Sequence, residues 1–296
     1  MSEIERFNEL SKMPFRAQMI WIMNGFYAKT KATQKDFMER AWLAKEKMIA
    51  LDKLSDKKNG HELDVFWSAK FLEDFETAIT AIQRKQALKE IDQNSSGGLS
   101  LIEYLTWKQK LSIKDVVSAP QGTSPELEEA QAKLNQVLDA LEKVRQALAE
   151  LAKLEAELKA AVAALEAEQK LYDDKCKALE VKIAASDTSA MQKSKAQNEL
   201  AQLKAEDPLP LRRAKITQEA AVRKVEKQTK QVKVEEDQLI ARVAEAQKAV
   251  DQAAAAGGGN APGLLWTLKR ELYEAENSLP KAKQTIDHSK PFSFAP

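Results

Sequence analysis

Residues 124–183 read SPELEEAQAKLNQVLDALEKVRQALAELAKLEAELKAAVAALEAEQKLYDDKCKALEVKI. Ser124 suits an N-cap, Pro125 the first helical position and Glu126 the first turn, where the helix dipole favours acids. Ala130, Leu134, Val137, Leu141, Val144, Leu148, Leu151, Glu155, Leu158, Val162, Leu165, Gln169, Tyr172, Cys176, Leu179 and Ile183 then follow at alternating steps of four and three. Only Glu155 and Gln169 are misfits. That spacing predicts the seam of a left-handed coiled coil. At 1.5 Å per residue the helix would be about 90 Å long. Cys176 sits in the seam and reads as a small hydrophobe rather than a reactive thiol.

Downstream, Ala185-Ser-Asp-Thr188 breaks the repeat. A helical segment with Met191, Leu200 and Leu203 follows, and Asp207-Pro-Leu-Pro210 interrupts it. Residues 211–256 resume a weaker seam with Leu211, Val222, Val225, Val232, Leu239, Val243, Ala246 and Val250. Residues 189–254 are close in length to residues 125–185. The expectation is therefore an antiparallel helical hairpin with its tip near 185–188 and a proline kink in the returning arm. A parallel homodimer with two separate coils is the alternative. Within the returning arm, Arg212, Arg213, Lys215, Arg223, Lys224, Lys227, Lys230 and Lys233 are opposed only by Glu219 and Glu226. Arg223, Lys227 and Lys230 share a helical face. Such a stripe is either a solvated flank against the acidic opposing arm or a binding face for an acidic filament or nucleic acid. The lack of interleaved aromatics disfavours nucleic acid.

Residues 1–118 differ in composition. All nine Phe, all five Trp and three of four Tyr lie outside residues 124–256. These aromatics are the core of a small helical domain. Helices are predicted with Pro14 at the first position, over 33–54 with Thr33 as cap, from Asp64, over 78–91, and from Ser100. Asp92-Gln-Asn-Ser-Ser-Gly-Gly-Leu-Ser-Leu-Ile-Glu103 has the spacing of an EF-hand, a loop with oxygen ligands at positions 1, 3, 5, 7, 9 and 12. These are Asp92, Asn94, Ser96, the Gly98 carbonyl, Ser100 and Glu103, with Gly97 at the sharp turn. The ligand set suits Ca2+. With only two carboxylates it predicts a weak to moderate site, and the alternative is a loop that keeps the shape without metal. Leu99, at position 8, would pair with a partner loop. Residues 56–67 have the right length and place Leu63 at position 8. Lys58 at position 3 and Trp67 at position 12 predict a non-binding partner.

The predicted architecture is all-α. Residues 1–32 form N-terminal helices and 33–118 an EF-hand pair. Residues 124–256 form the long antiparallel coiled-coil hairpin. Residues 257–296 hold a Gly-rich link, a C-terminal helix and a tail. This order of parts resembles the amoebal calcium-regulated actin-bundling protein family. The closest passages are Arg84-Lys-Gln-Ala-Leu-Lys-Glu-Ile-Asp92 through Leu99-Ser-Leu-Ile-Glu-Tyr-Leu105, then Glu219-Ala-Ala-Val-Arg223, and Leu265-Trp266 with Arg270-Glu-Leu272. The resemblance implies cross-linking of actin filaments, inhibition by calcium, and filament binding mainly in the helical region after the loops. The family has an acid where Ser96 stands, which again implies a weaker calcium site.

Other classes are disfavoured. In 296 residues, 46 bases balance 45 acids, so net charge gives no reason to expect a nucleic-acid partner. One cysteine and two distant histidines leave no disulfide framework and no zinc cluster. There is no phosphate loop or nucleophile arrangement, so no enzyme is expected. No apolar run of membrane-spanning length and no secretory leader are read, so a soluble cytoplasmic protein with no membrane partner is expected; its place at the cytoskeleton is what the resemblance implies. An EF-hand coiled-coil adaptor for a different protein, or a purely structural dimer, is the competing function.

Overall fold

Helix starts in this chain are written locally. Ser2 and Glu5 exchange side-chain and backbone hydrogen bonds, a capping box that opens α1 (Glu3–Ser11). Asp64 accepts from Trp67 N to open α4 (Val65–Phe75). Thr80 with Gln83 opens α5 (Ala81–Ile91), and Ser100 with Glu103 opens α6 (Leu101–Lys108). The computed structural model describes residues 2–27, 34–76, 80–205, 208–256, 261–286, 288–289 and 292–293. Thr33, Ala78, Asp207 and Gly257 to Gly259, used in the sequence reading, lie outside them.

The described residues are helical apart from two short strands and the connections. They form two units, residues 1–137 with 242–296, and residues 138–241. The composition boundaries at 124 and 256 both fall inside the first unit. At its centre is α2 (Phe15–Phe26), which packs against α3 (Gln34–Asp52), α6 and α11 (Pro262–Asn277). Phe7, Phe15, Met19, Ile22, Met23, Phe71 and Tyr104 have almost no exposed surface. Each such burial contributes about 1.5–3 kcal/mol, and together they hold the helices. Phe71 stacks on Phe75 at 5.1 Å and meets Tyr104 edge-on at 5.0 Å. Most of the aromatics are therefore core, as expected. Phe66 is not, being 69% exposed. Pro14 sits one position before the helix it was expected to start, as the N-cap of α2. α1 falls within the N-terminal helices expected over 1–32, and α7 (Ile113–Val117) is a helix that went unread in the sequence.

The two strands, β1 (Glu62–Leu63) and β2 (Leu99–Ser100), form an antiparallel pair with Leu63 opposite Leu99. Both leucines are fully buried. The remaining helices are α8 (Pro125–Ala184), α9 (Ala190–Ala205) and α10 (Leu209–Ala255). Ser124 caps α8 by accepting from Leu127 N. In the first unit, Lys133 pairs with Glu245 at 3.1 Å and Arg242 Nη1 donates to Gln136 O. In the second, Gln228 Nε2 donates to Ala147 O, Lys224 meets Glu157, and Tyr172 OH donates to Leu203 O. Partner numbers fall on one arm as they rise on the other. This is an antiparallel helical hairpin within one chain.

The inner face of α8 departs from the predicted seam. Leu134, Val137, Leu141 and Val144 are buried, but the next inward residue is Ala147, not Leu148, which is 44% exposed. Leu154 is half-buried where Glu155 was expected to be, and Glu155 faces solvent. A straight helix set against a strict heptad would carry the seam toward higher residue numbers, by about 20° per heptad. Here it steps back by one residue, from 148, 155 and 162 to 147, 154 and 161, and keeps the seven-residue spacing. The step keeps the Glu155 charge in water, where it costs nothing to solvate.

Candidate functional site

The loop after α5 folds back on its own backbone. Asp92 ends α5, and its two carboxylate oxygens accept from Ser96 N at 2.9 Å and Gly97 N at 3.1 Å. Asn94 Oδ1 also accepts from Ser96 N at 2.9 Å, and Ser96 Oγ accepts from Gly98 N at 3.1 Å. The turn needs Ser95 at φ 57° and Gly97 at φ 76°, the region that glycine enters freely. At Gly98 the reason is space. A Cβ there would lie 2.9 Å from Leu63 O of the facing strand. Asp92, Asn94 and Ser96 are thus gathered on one short loop, which β2 then ties to β1.

Ser100 and Glu103 close the loop. Glu103 is fully buried. Its Oε2 accepts from Ser100 N at 3.0 Å and Ser100 Oγ at 2.7 Å, whereas its Oε1 has no hydrogen-bond partner. Burial pushes the carboxyl above the usual range, and the Asp92 charge adds to the rise. One unpartnered oxygen on a buried carboxylate beside a second carboxylate makes the ionised pair costly. The donors are all hard oxygens, which fits calcium better than a soft-ligand metal. No three His, Cys, Asp or Glu side chains cluster among the described residues, so any cation here depends on Asn, Ser and carbonyl oxygens as well.

The facing loop uses its polar groups internally. Asp52 accepts from Gly60 N, Asn59 Oδ1 accepts from His61 N and Glu62 N, and Asp64 caps α4 while accepting from Ser55 Oγ. Asp56 and Lys58 are exposed, and Lys58 has φ 46°. Gln18, which the sequence reading passed over, reaches both loops: its Nε2 donates to His61 O and its Oε1 accepts from Ile102 N. A single Gln on an apolar helix carries no spacing signal that would have found it.

The basic residues of α10 do not form one surface. Arg223, Lys227 and Lys230 are exposed and lie within about 60° of one another around the helix. Arg223 pairs with the local Glu219 at 3.9 Å. Ile216, 66% exposed, and Val234, 54% exposed, fall on the same side. Lys224 instead reaches Glu157 of α8 at 3.6 Å, and Lys215 lines a groove with Glu166, Asp173 and Asp174. Arg212 lines a cleft with Lys175, Lys182 and Glu199. Arg213 and Lys233 are exposed.

The sequence profile described as F actin bundling C terminal matches residues 99–258, more than half of the chain. The chain belongs to this family. The matched part of this F-actin bundling family member starts at β2 and takes in α6 through α10. A similar fold is seen in the crystal structure of the 34 kDa F-actin bundling protein from Dictyostelium discoideum. That match has a TM-score of 0.53 and 20% identity, covering 95% of this chain and 99% of the other. No curated protein matches. Among the described residues no helix is long and apolar enough to cross a membrane.

Proposed function

We propose that this chain binds and cross-links actin filaments at the cytoskeleton, and that calcium held by the loop 92–103 weakens the cross-linking. The family match over 99–258 carries the filament part. The outward trio Arg223, Lys227 and Lys230, with Ile216 and Val234 beside it, is the filament-facing surface we favour, because an acidic partner needs exposed bases not already neutralised by the other arm. Cross-linking needs two such contacts, either in one chain or in a pair of chains.

The unpartnered, buried Glu103 Oε1 supports the calcium part. Asp92, Asn94, Ser96, the Gly98 carbonyl, Ser100 and Glu103 would hold the ion. Its charge would offset the repulsion between the two carboxylates. With so few charged ligands the affinity belongs at the weak end for such loops. The facing loop serves as a packing partner, because Lys58 stands at a ligand position and Asp52, Asn59 and Asp64 are already engaged. The test is co-sedimentation. The chain should pellet with filaments at high speed and bring down bundles at low speed in chelator, and bundling should fall when calcium is added. A chain that stays in the supernatant removes the filament reading, and bundling indifferent to calcium removes the regulatory one.

A further inference from the structure

Gln18 has no exposed surface, and its amide is fully used. The two hydrogens of Nε2 are shared among three carbonyls, Ser11 O at 2.9 Å, Met13 O at 2.6 Å and His61 O at 2.8 Å, and Oε1 accepts from Ile102 N at 2.9 Å. Chemistry fixes this orientation, since Ile102 N–H can only donate and the three carbonyls can only accept. Ile102 precedes Glu103 in the first turn of α6. Gln18 therefore caps the turn that presents the last carboxylate of the second loop. His61 lies in the first loop, and Phe15 N, at the start of α2, donates to Gly60 O beside it at 3.1 Å. The first turns of α2 are thus bonded to both loops.

The other end of α2 holds different partners. Asn24 Oδ1 accepts from Leu264 N of α11 at 3.0 Å, and Asn24 Nδ2 donates to Gln121 Oε1 at 3.2 Å. Gln121 Nε2 returns a bond to Trp21 O at 2.9 Å. Gly263 lies so close that a Cβ there would be 2.6 Å from Asn24 N. Gln121 belongs to the connection that leads into α8. Gln18 and Asn24 are six residues apart on one unbroken helix, about 9 Å along its axis.

We infer that α2 is a coupling rod, with Gln18 as the positioning residue that passes a change at the loop 92–103 to the start of α11 and to the connection before α8. This rests on the calcium reading given above. Glu103 sits in the first turn of α6, so a shift of that turn toward a cation carries Ile102, which is bonded to Gln18. A buried amide that lost this partner would be left unsatisfied, so α2 follows. An α-helix moves as a unit, and its far end carries Asn24 and the α11 contact with it.

The test uses the full chain, with calcium calorimetry alongside amide hydrogen exchange of the first turns of α11. Adding calcium to the parent should change exchange near Leu264 by about fivefold, the weight of one ordinary hydrogen bond. Gln18→Met keeps the bulk and removes the amide. It should still bind calcium, within about tenfold of the parent, but lose the response at α11. Asn24→Ala leaves both loops untouched. It should bind calcium as the parent does and also lose the α11 response, and it decides the matter if Gln18→Met does not fold. If the parent binds calcium and α11 does not respond, or if the Asn24 variant still responds as the parent does, the coupling is wrong while the calcium reading stands. If the parent binds no calcium, the calcium reading falls, and the trigger assigned to the rod falls with it.

Discussion

Replacing Glu103 by Gln removes one buried negative charge and leaves the side chain's shape almost unchanged. The two bonds from Ser100 end on one oxygen, which the amide oxygen can accept in place of the carboxylate. The other oxygen, Oε1, has no hydrogen-bond partner, and a neutral amide removes a buried charge that the Asp92 carboxylate repels. A buried acceptor without a partner costs about 1–3 kcal/mol. In chelator the variant should therefore be more stable than the parent by about 1 kcal/mol. Calcium reverses the order. At a hundred times its dissociation constant a ligand stabilises the folded state by about 2.7 kcal/mol, and the variant, lacking the bidentate carboxylate, should gain almost none of it. Urea unfolding followed by tryptophan fluorescence is the assay, because Trp21, Trp42, Trp67, Trp107 and Trp266 all lie in the first unit and report it alone. A variant less stable than the parent in chelator would refute the electrostatic reasoning. A variant that calcium stabilises as much as the parent would show that the loop 92–103 is not the site.

Leu134→Asp places a charge at a fully buried seam position and should cost several kcal/mol, whereas Leu148→Asp, at a site 44% exposed, should stay within about 0.5 kcal/mol; circular dichroism during thermal melting separates them, and equal costs would return Leu148 to the seam. Reversing Arg223, Lys227 and Lys230 to Glu should weaken co-sedimentation with filaments in chelator while leaving helicity intact, and parent binding should fall with salt because exposed charges are screened over about 10 Å at 0.1 M; undiminished binding by the triple variant would make the trio a solvated flank. Glu76 accepts from Arg40 and Tyr104 on one oxygen and Lys108 on the other. Burial alone would raise its carboxyl, but these donors together hold it below the ordinary value of 4.5. A lowered folded value means that this stability is present above pH 4.5 and is lost as pH falls through the lowered one. Glu76→Gln should therefore cost about 1.5–3 kcal/mol at pH 7, and parent and variant should converge in acid urea titrations; a gap that stays constant down to acid pH would show that the charge contributes nothing.

What could be read along the chain was whatever a few neighbouring residues settle between themselves. Ser124 with Pro125, Asp64, and Ser100 with Glu103 start helices by hydrogen bonds spanning three residues. The twelve-residue spacing of 92–103 brings its oxygens together within one loop, and Gly97 is needed wherever that turn is made. The hairpin could be read because two amphipathic arms of similar length must cover each other's apolar stripes. Each of these depends on period, cap or turn chemistry, which sequence order preserves.

The rest depends on partners far away in sequence, where order carries no signal. The amide of Gln18 meets Ile102 84 residues on, Asn24 meets Leu264 240 residues on, and Arg16 clamps Glu271 with two bonds across 255 residues. The phase of the seam was also outside the sequence's reach. A repeat of seven marks which residues are apolar, but packing against the other arm decides whether Leu148 or Ala147 turns inward. By itself the sequence determined the helices, the loop chemistry and the antiparallel return, because short-range hydrogen bonds and hydrophobic period suffice for them. Only the tertiary structure decided which bases of α10 face outward, which of them the other arm neutralises, and that α2 joins the loops to α11, because those outcomes are set by packing between segments that the chain order keeps far apart.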